Sequence, residues 1–262
     1  MTVDLTGQVA LVTGGGKGVG RGVTSAFVDA GAHVVVVSRS QPDDLPDNTS
    51  FLAADVRDAD AVHRVVQQIA DDHGRLDAVV NNAGGSPPAE AATSSPRFAE
   101  RIVALNLLAP LYVAQAANGV MQQQPDGGSI VSIGSVSGVR PSPGAAVYGA
   151  AKAGLAGLTR SLAVEWAPKV RVNLVVVGMV RTEQSELFYG DEAGVAAVGA
   201  TVPLGRLAEP TEIGAMCVFL ASPAASYISG AEVLVHGGGE RPAFLSAANA
   251  DMPDTITGRG RT

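Results

Sequence analysis

Tyr148 and Lys152 stand four residues apart in AVYGAAKAGLAG (146–157), a stretch otherwise built from Ala, Gly, Val and Leu. On a helix that spacing puts both side chains on one face, within reach of the same small volume. A free phenol has a pKa of about 10 and is a poor base at neutral pH, but an ammonium beside it stabilises the tyrosinate and lowers that value. The pair is therefore expected to be an acid/base group conditioned by its lysine, with small neighbours that let a cofactor lie against the helix. Lysine is scarce here: the chain has three, Lys17, Lys152 and Lys169. The plainer alternative is a half-buried tyrosine beside a solvated lysine.

Two polar residues stand where they could join that chemistry. Ser135 follows the strand-like run SIVSIG (129–134) and precedes Tyr148 by thirteen residues, so it emerges at a strand's carboxyl end just ahead of the helix. A hydroxyl there can hydrogen-bond a substrate oxygen as charge develops on it. Asn106 lies in IVALNLLAP (102–110) among apolar helix positions, where a buried amide needs partners. It either satisfies helix backbone or holds a water beside Lys152 in a proton relay.

A second constellation precedes these. The first strand runs into TGGGKGVG (13–20), which lacks G-x-G-x-x-G but reads T-G-x-x-x-G-x-G on Thr13, Gly14, Gly18 and Gly20. Glycines between a buried strand and a helix allow a tight turn and let backbone N–H groups approach a pyrophosphate; alone they could equally be a flexible loop. After the second strand, VSRS offers Ser38 where an NAD site would offer an acid, and then Arg39, which with Lys17 can meet a 2′-phosphate. NADP(H) is favoured on this reading, with NAD(H) as the alternative. NNAG (81–84) is either a tight strand exit or a backbone cradle beside the nucleotide.

Such residues need a scaffold that brings strand ends together. VALVT (9–13), HVVVVS (33–38), LDAVVN (76–81), SIVSIG (129–134), VRVNLVVV (170–177) and EVLVHG (232–237) alternate with Ala-rich segments, the pattern of a parallel sheet buried on both faces. The 181–208 region, polar and carrying Phe188 and Tyr189, reads as an irregular lid over the strands' carboxyl ends. With 262 residues, 46% apolar and 16% charged, the chain suits one α/β domain. A net charge of −7 without clustered cations argues against nucleic acid. Lone Cys217 allows no internal disulfide, the N-terminus has no basic leader, and no apolar run approaches the ~20 residues of a membrane span, so a cytoplasmic location without membrane attachment is expected. His33, His63, His73 and His236 are scattered singly, and no metal site is expected.

Taken in order, ALVTGGGKGVG, NNAG, Asn106, Ser135, YGAAK, PLGR (203–206) and SGAEVLVHGGG (229–239) resemble the short-chain dehydrogenases/reductases of about 250 residues, over nearly the whole chain. The resemblance implies a single doubly wound Rossmann-type domain over 1–240, a seven-stranded parallel sheet with helices on both faces, a substrate loop at about 181–208 and a C-terminal tail at 241–262. It implies a cofactor turn of Gly14, Gly16, Lys17, Gly18, Val19 and Gly20, with Ser38 and Arg39 beyond it. Asp55, next to Val56, would hydrogen-bond the adenine; Asn81, Ala83 and Gly84 would line the adenosine; Gly178, Val180 and Thr182 would flank the nicotinamide. Tyr148 would be the acid/base, Lys152 would lower its pKa and hold the nicotinamide ribose, Ser135 would orient the substrate and Asn106 would anchor a relay water. A homotetramer, or a dimer, would form through helices around 97–123 and 147–167 and the last strand. The chain departs from the family pattern in Val177 for the usual Pro, Gly134 for a frequent Ser, and the tail beyond the usual end.

The implied reaction is NAD(P)-dependent, reversible hydride transfer between nicotinamide C4 and a carbonyl or secondary-alcohol carbon of a small molecule. Val136, Val139, Met179, Leu187, Phe188 and Tyr189 are expected to make a mostly apolar pocket, suited to a lipid-like ketone, a 3-oxoacyl thioester or a steroid and hence to lipid metabolism. Arg97, Arg101 and Arg140 are the cations available to an acidic carrier protein. A catalytically silent dinucleotide-binding sensor or scaffold is the contrasting reading; it predicts loss of Tyr, Lys or Ser, and all three are present.

Overall fold

The central strands of this sheet are apolar on both sides because helices cover both faces. The computed structural model describes residues 3–248 and Pro253. β1 (Val9–Thr13), β2 (His33–Ser38), β3 (Thr49–Ala53), β4 (Ala78–Asn81), β5 (Gly128–Ile133), β6 (Val170–Val177) and β7 (Glu232–Val235) form one parallel sheet in the order β3-β2-β1-β4-β5-β6-β7. Successive side chains of a strand point to opposite faces. Val9 and Leu11 thus pack with α2 (Ala59–His73) and α4 (Ala109–Met121), while Ala10 and Val12 pack with α1 (Gly18–Asp29) and with the later helix over Pro210–Ala221.

The doubly wound sheet is the one expected from the sequence, but three elements differ from the periodicity reading. β3, with sequence TSFLA, is an edge strand with no fully buried residue, and its Thr49 and Ser50 break the apolar pattern that marks a central strand. The helix expected over 97–123 is interrupted: α3 (Pro96–Val103) passes through one π-helical turn, Ala104–Leu108, before α4 begins. The 181–208 region is not irregular. It holds α6 (Ser185–Tyr189) and α7 (Glu192–Thr201), the latter capped by a 3.0 Å bond from Gly194 N–H to Asp191 Oδ1 and anchored by buried Val195 and Val202. Its Ala- and Gly-rich sequence has weak amphipathic contrast, which hides the helix from periodicity.

α5 (Ala146–Glu165), α8 (Pro210–Ala221) and a short α9 (Ala243–Ala247) complete the described helices. Most of the expected tail, 249–252 and 254–262, lies outside the described residues. Among the described helices, only the stretch Pro96–Met121 is long and apolar enough to cross a membrane by length and composition. Here Ala109, Val113, Ala117 and Met121 form one face buried against the sheet and α2.

β1 is the strand from which the chain first moves outward to β2 and β3, then returns on its other side to β4. The connections leaving β1 and β4 diverge, opening a crevice at their carboxyl ends, where open α/β sheets bind ligands. Phe27, fully buried between α1, α8 and the sheet, holds that face together. Phe27→Ala is expected to cost about 3–5 kcal/mol, measurable as a lowered urea midpoint with little change in slope.

Candidate active site

The crevice is built on the turn between β1 and α1. Gly14 and Gly18 take left-handed φ values of +66° and +53°, and a Cβ on Gly20 would lie 2.1 Å from Gly14 O, so the turn closes only with glycine there. Thr13 Oγ1 accepts from the N–H groups of Asn82 and Ala83, each at 3.0 Å, and Asn82 Nδ2 donates to Thr13 O (3.0 Å) and Gly14 O (3.2 Å). The NNAG exit is thus stitched to the glycine turn. Asn82 makes these bonds and lines the crevice; Asn81 does not line it. Adjacent residues at a strand end face opposite sides, and Asn81 Nδ2 donates instead to Pro110 O at 3.2 Å, on the α4 side.

The crevice encloses a cavity of about 460 Å³. Of the residues expected at a cofactor, its walls include Gly14, Lys17, Gly18, Val19, Gly20, Ser38, Arg39, Asp55, Val56, Ala83, Gly84, Tyr148, Lys152 and Thr182. Gly16 faces the neighbouring groove, where its Cβ would meet Pro42; Gly178 borders a second cavity beside His236; Val180 forms a bridge with Ala208. The walls also contain Arg57, Glu183 and Gln184, which sequence reasoning missed. Arg57 follows Asp55 by two residues and grips its carboxylate through Nε (2.9 and 3.2 Å) and Nη2 (2.5 Å). That bond, aided by Arg39, holds the Asp55 carboxyl down at about 2. A cation so close to Asp55 in sequence was a readable signal, but only the β3–α2 loop turns it into the cavity. Backbone N–H groups at the start of α1, the Arg39, Arg57 and Lys17 cations and the glycine cradle make a donor set that fits a phosphate-bearing dinucleotide.

At the inner end, Lys152 is buried and its Nζ donates to Ile133 O at 2.7 Å, 5.7 Å from the centroid of the Tyr148 ring. Burial lowers the ammonium to about 8. The Tyr148 phenol is raised, chiefly by burial, and the hydrogen bond with Ser135 opposes the rise. Nζ is held on a carbonyl and faces the Tyr148 ring, and the hydrogen bond with Ser135 draws the phenol down. Ser135 also caps a 3₁₀ turn, accepting from Ser137 N–H at 3.1 Å. Asn106 is fully buried: Oδ1 accepts from Gly85 N–H (2.8 Å), and Nδ2 donates to Gly85 O (3.0 Å) and Ile102 O (2.9 Å). Its amide is therefore satisfied by backbone. A Cβ on Gly84 would lie 2.8 Å from Asn106 Oδ1 and 3.4 Å from Lys152 Nζ, which places this glycine between the two side chains.

A smaller cavity of about 140 Å³ adjoins the turn after Ser135, bounded by Val136, Val139, Gly178 and Met179 with Arg140, His236 and Glu240. Arg140 Nη2 meets Glu240 Oε1 at 2.5 Å. Tyr189 packs near that pair, and its phenol is raised by burial, with Arg140 opposing and Glu240 adding to the shift. Leu187 and Phe188 do not line either cavity and are 79% and 50% exposed. Among the described residues, no group of three or more His, Cys, Asp or Glu side chains could hold a metal ion.

A parallel sheet with a glycine-rich turn at its switch point, a phosphate-ready crevice and a Ser–Tyr–Lys set at one end defines the chain as a dinucleotide-binding oxidoreductase. A family profile described as Enoyl-(Acyl carrier protein) reductase matches residues 14–240. The 3-oxoacyl-[acyl-carrier-protein] reductase of Vibrio harveyi is 36% identical over 245 residues, covering 90% of this chain and 98% of that protein. Ligand-free aldohexose dehydrogenase of Thermoplasma acidophilum superposes with a TM-score of 0.85 at 30% identity, covering 96% of this chain and 98% of the other. The RhlG/NADP active-site complex of Pseudomonas aeruginosa gives a TM-score of 0.81 at 27% identity, covering 90% and 97%. The chain belongs to the short-chain dehydrogenases/reductases, a family that binds NAD(P) and acts on small molecules.

The buried lysine makes a pH-dependent prediction. Its folded pKa of about 8 lies below the unfolded value, so the unfolded chain holds this proton more tightly. The resulting cost to stability is full below pH 8 and disappears as pH rises past about 10.4. Lys152→Met removes that cost but leaves the Ile133 carbonyl without its donor. The cofactor-free variant is expected to be more stable than wild type by about 1–2 kcal/mol at pH 7, with the gain lost by pH 10, as read by urea unfolding at both pH values.

Proposed function

We propose that this protein is an NADP(H)-dependent oxidoreductase that interconverts a carbonyl and a secondary alcohol, with Tyr148 as acid/base. The observation that carries the reading is one continuous cavity with Lys17, Arg39 and Arg57 at one part of its wall and Tyr148 with Lys152 at another. A nicotinamide held in this cavity would supply or accept the hydride at its C4. In the reducing direction Tyr148 Oη gives a proton to the forming alkoxide, and the Ser135 hydroxyl hydrogen-bonds the same oxygen. Lys152 would hold the nicotinamide ribose, and its positive charge would lessen the cost of the resulting tyrosinate. Asn106 fixes the Gly84–Gly85 wall beside Lys152, where a relay water is expected.

Val136, Val139 and Met179 beside the turn after Ser135 favour an apolar substrate: a lipid-like ketone, a 3-oxoacyl thioester or a steroid. The name of the Vibrio relative supports the thioester. The catalytic domain is assigned to 1–240, with 181–208 as its substrate loop. Ala150, Ala153 and Gly154 are exposed on α5, Val164 is 80% exposed and Leu234 on β7 is 55% exposed, surfaces suited to a homotetramer acting in the cytoplasm.

Two measurements test this. Nicotinamide fluorescence should show tighter binding of NADPH than of NADH, and Arg39→Asp should weaken NADPH by about 10- to 100-fold while leaving NADH nearly unchanged. Equal binding of both by wild type would remove the NADP assignment. Tyr148→Phe should lower turnover of a reduced ketone by about 10²–10⁴-fold with NADPH affinity retained; full activity in the variant would leave Tyr148 without its role.

A further inference from the structure

Glu183 occupies the place where the glycine turn is built to receive a phosphate. Its Oε2 accepts from Gly18 N–H, the first residue of α1, at 3.2 Å, and a Cβ on Gly18 would lie 3.8 Å from Oε1. α1 has no acidic residue in its first turn and Lys17 makes no side-chain cap, so the Gly18 N–H takes a carboxylate from 165 residues downstream. That carboxylate rides on the arm leading into the lid. The arm is pinned just before it, where Arg181 N–H donates to Ala208 O at 2.8 Å and Ala208 N–H to Met179 O at 2.9 Å. Glu183 lines both the cofactor-sized cavity and a broad open groove that contains Lys17 and Arg21.

We propose that Glu183 is a built-in competitor of the cofactor's pyrophosphate, capping α1 until the dinucleotide displaces it toward the open groove. The inference rests on the dinucleotide reading of the cavity. A carboxylate and a doubly charged pyrophosphate cannot both sit on one helix N-terminus, because like charges at that separation repel in a partly desolvated crevice. Cofactor arrival therefore releases the arm, and the lid that follows it is freed to adjust to substrate only once the dinucleotide is seated. The cost of displacing Glu183 lowers cofactor affinity, and salt screening reduces that cost.

Glu183→Gln isolates the charge, since the amide oxygen still accepts from Gly18 N–H. In low salt the full-length variant should bind NADPH about five- to tenfold more tightly than wild type by nicotinamide fluorescence, with the difference narrowing as salt is raised. Inorganic pyrophosphate should compete more strongly in the variant. Adenosine 2′-monophosphate, which carries no pyrophosphate, should bind both proteins equally by calorimetry. Unchanged or weaker NADPH binding in the variant, or equal tightening of adenosine 2′-monophosphate, overturns the role of Glu183 while leaving the cofactor site intact. If neither protein binds any of these nucleotides, the cofactor reading falls and the inference with it.

Discussion

The hydroxyl of Thr13, accepting from the backbone N–H groups of Asn82 and Ala83, joins the carboxyl ends of β1 and β4 where the sheet's connections part. A crevice must open there, because the chain leaves these two strands in opposite senses. The hydroxyl and the Asn82 amide limit how far it opens and fix the glycine turn against the β4 exit. Everything that faces the cavity is referred to that frame: α1 starts on one side of it, and the Gly84–Gly85 wall, backed by Asn106, continues from the other.

The inner end of the site keeps ionisable groups where burial penalises their charge. Lys152 has its proton loosened and Tyr148 has its proton tightened, both chiefly by burial. Such an arrangement survives because the sheet beneath it is apolar on both faces and packed by helices on each. The ion pairs elsewhere, such as Arg206 with Glu212 and Arg181 with Glu192, are largely exposed and contribute little to that support.

Charge is also distributed against the chain's average. The protein carries a formal charge of −7, yet the cavity wall gathers Lys17, Arg39 and Arg57. Two carboxylates stand in the same wall: Asp55 is engaged by Arg57, and Glu183 caps α1. Among the described residues, only Arg57 of the three cations is held by a carboxylate, that of Asp55.

Much of the molecule was legible in its sequence. Apolar runs such as HVVVVS suit strands buried on both faces of a covered parallel sheet, and T-G-x-x-x-G-x-G, Ser135 and the Tyr148–Lys152 spacing name the chemistry by residue type and order. Folding decided what depends on register and on long-range approach. Asn82 rather than Asn81 meets the glycine turn, because one residue along a strand reverses the side chain's direction. His33 and His73, scattered singly in sequence, lie with ring centroids 4.6 Å apart. Arg57 enters the cavity, and Glu183 reaches Gly18, through loops whose paths no local pattern encodes. Protonation, too, belongs to the tertiary structure: Tyr148 and Lys152 are shifted by burial, and burial is a property of the packed whole.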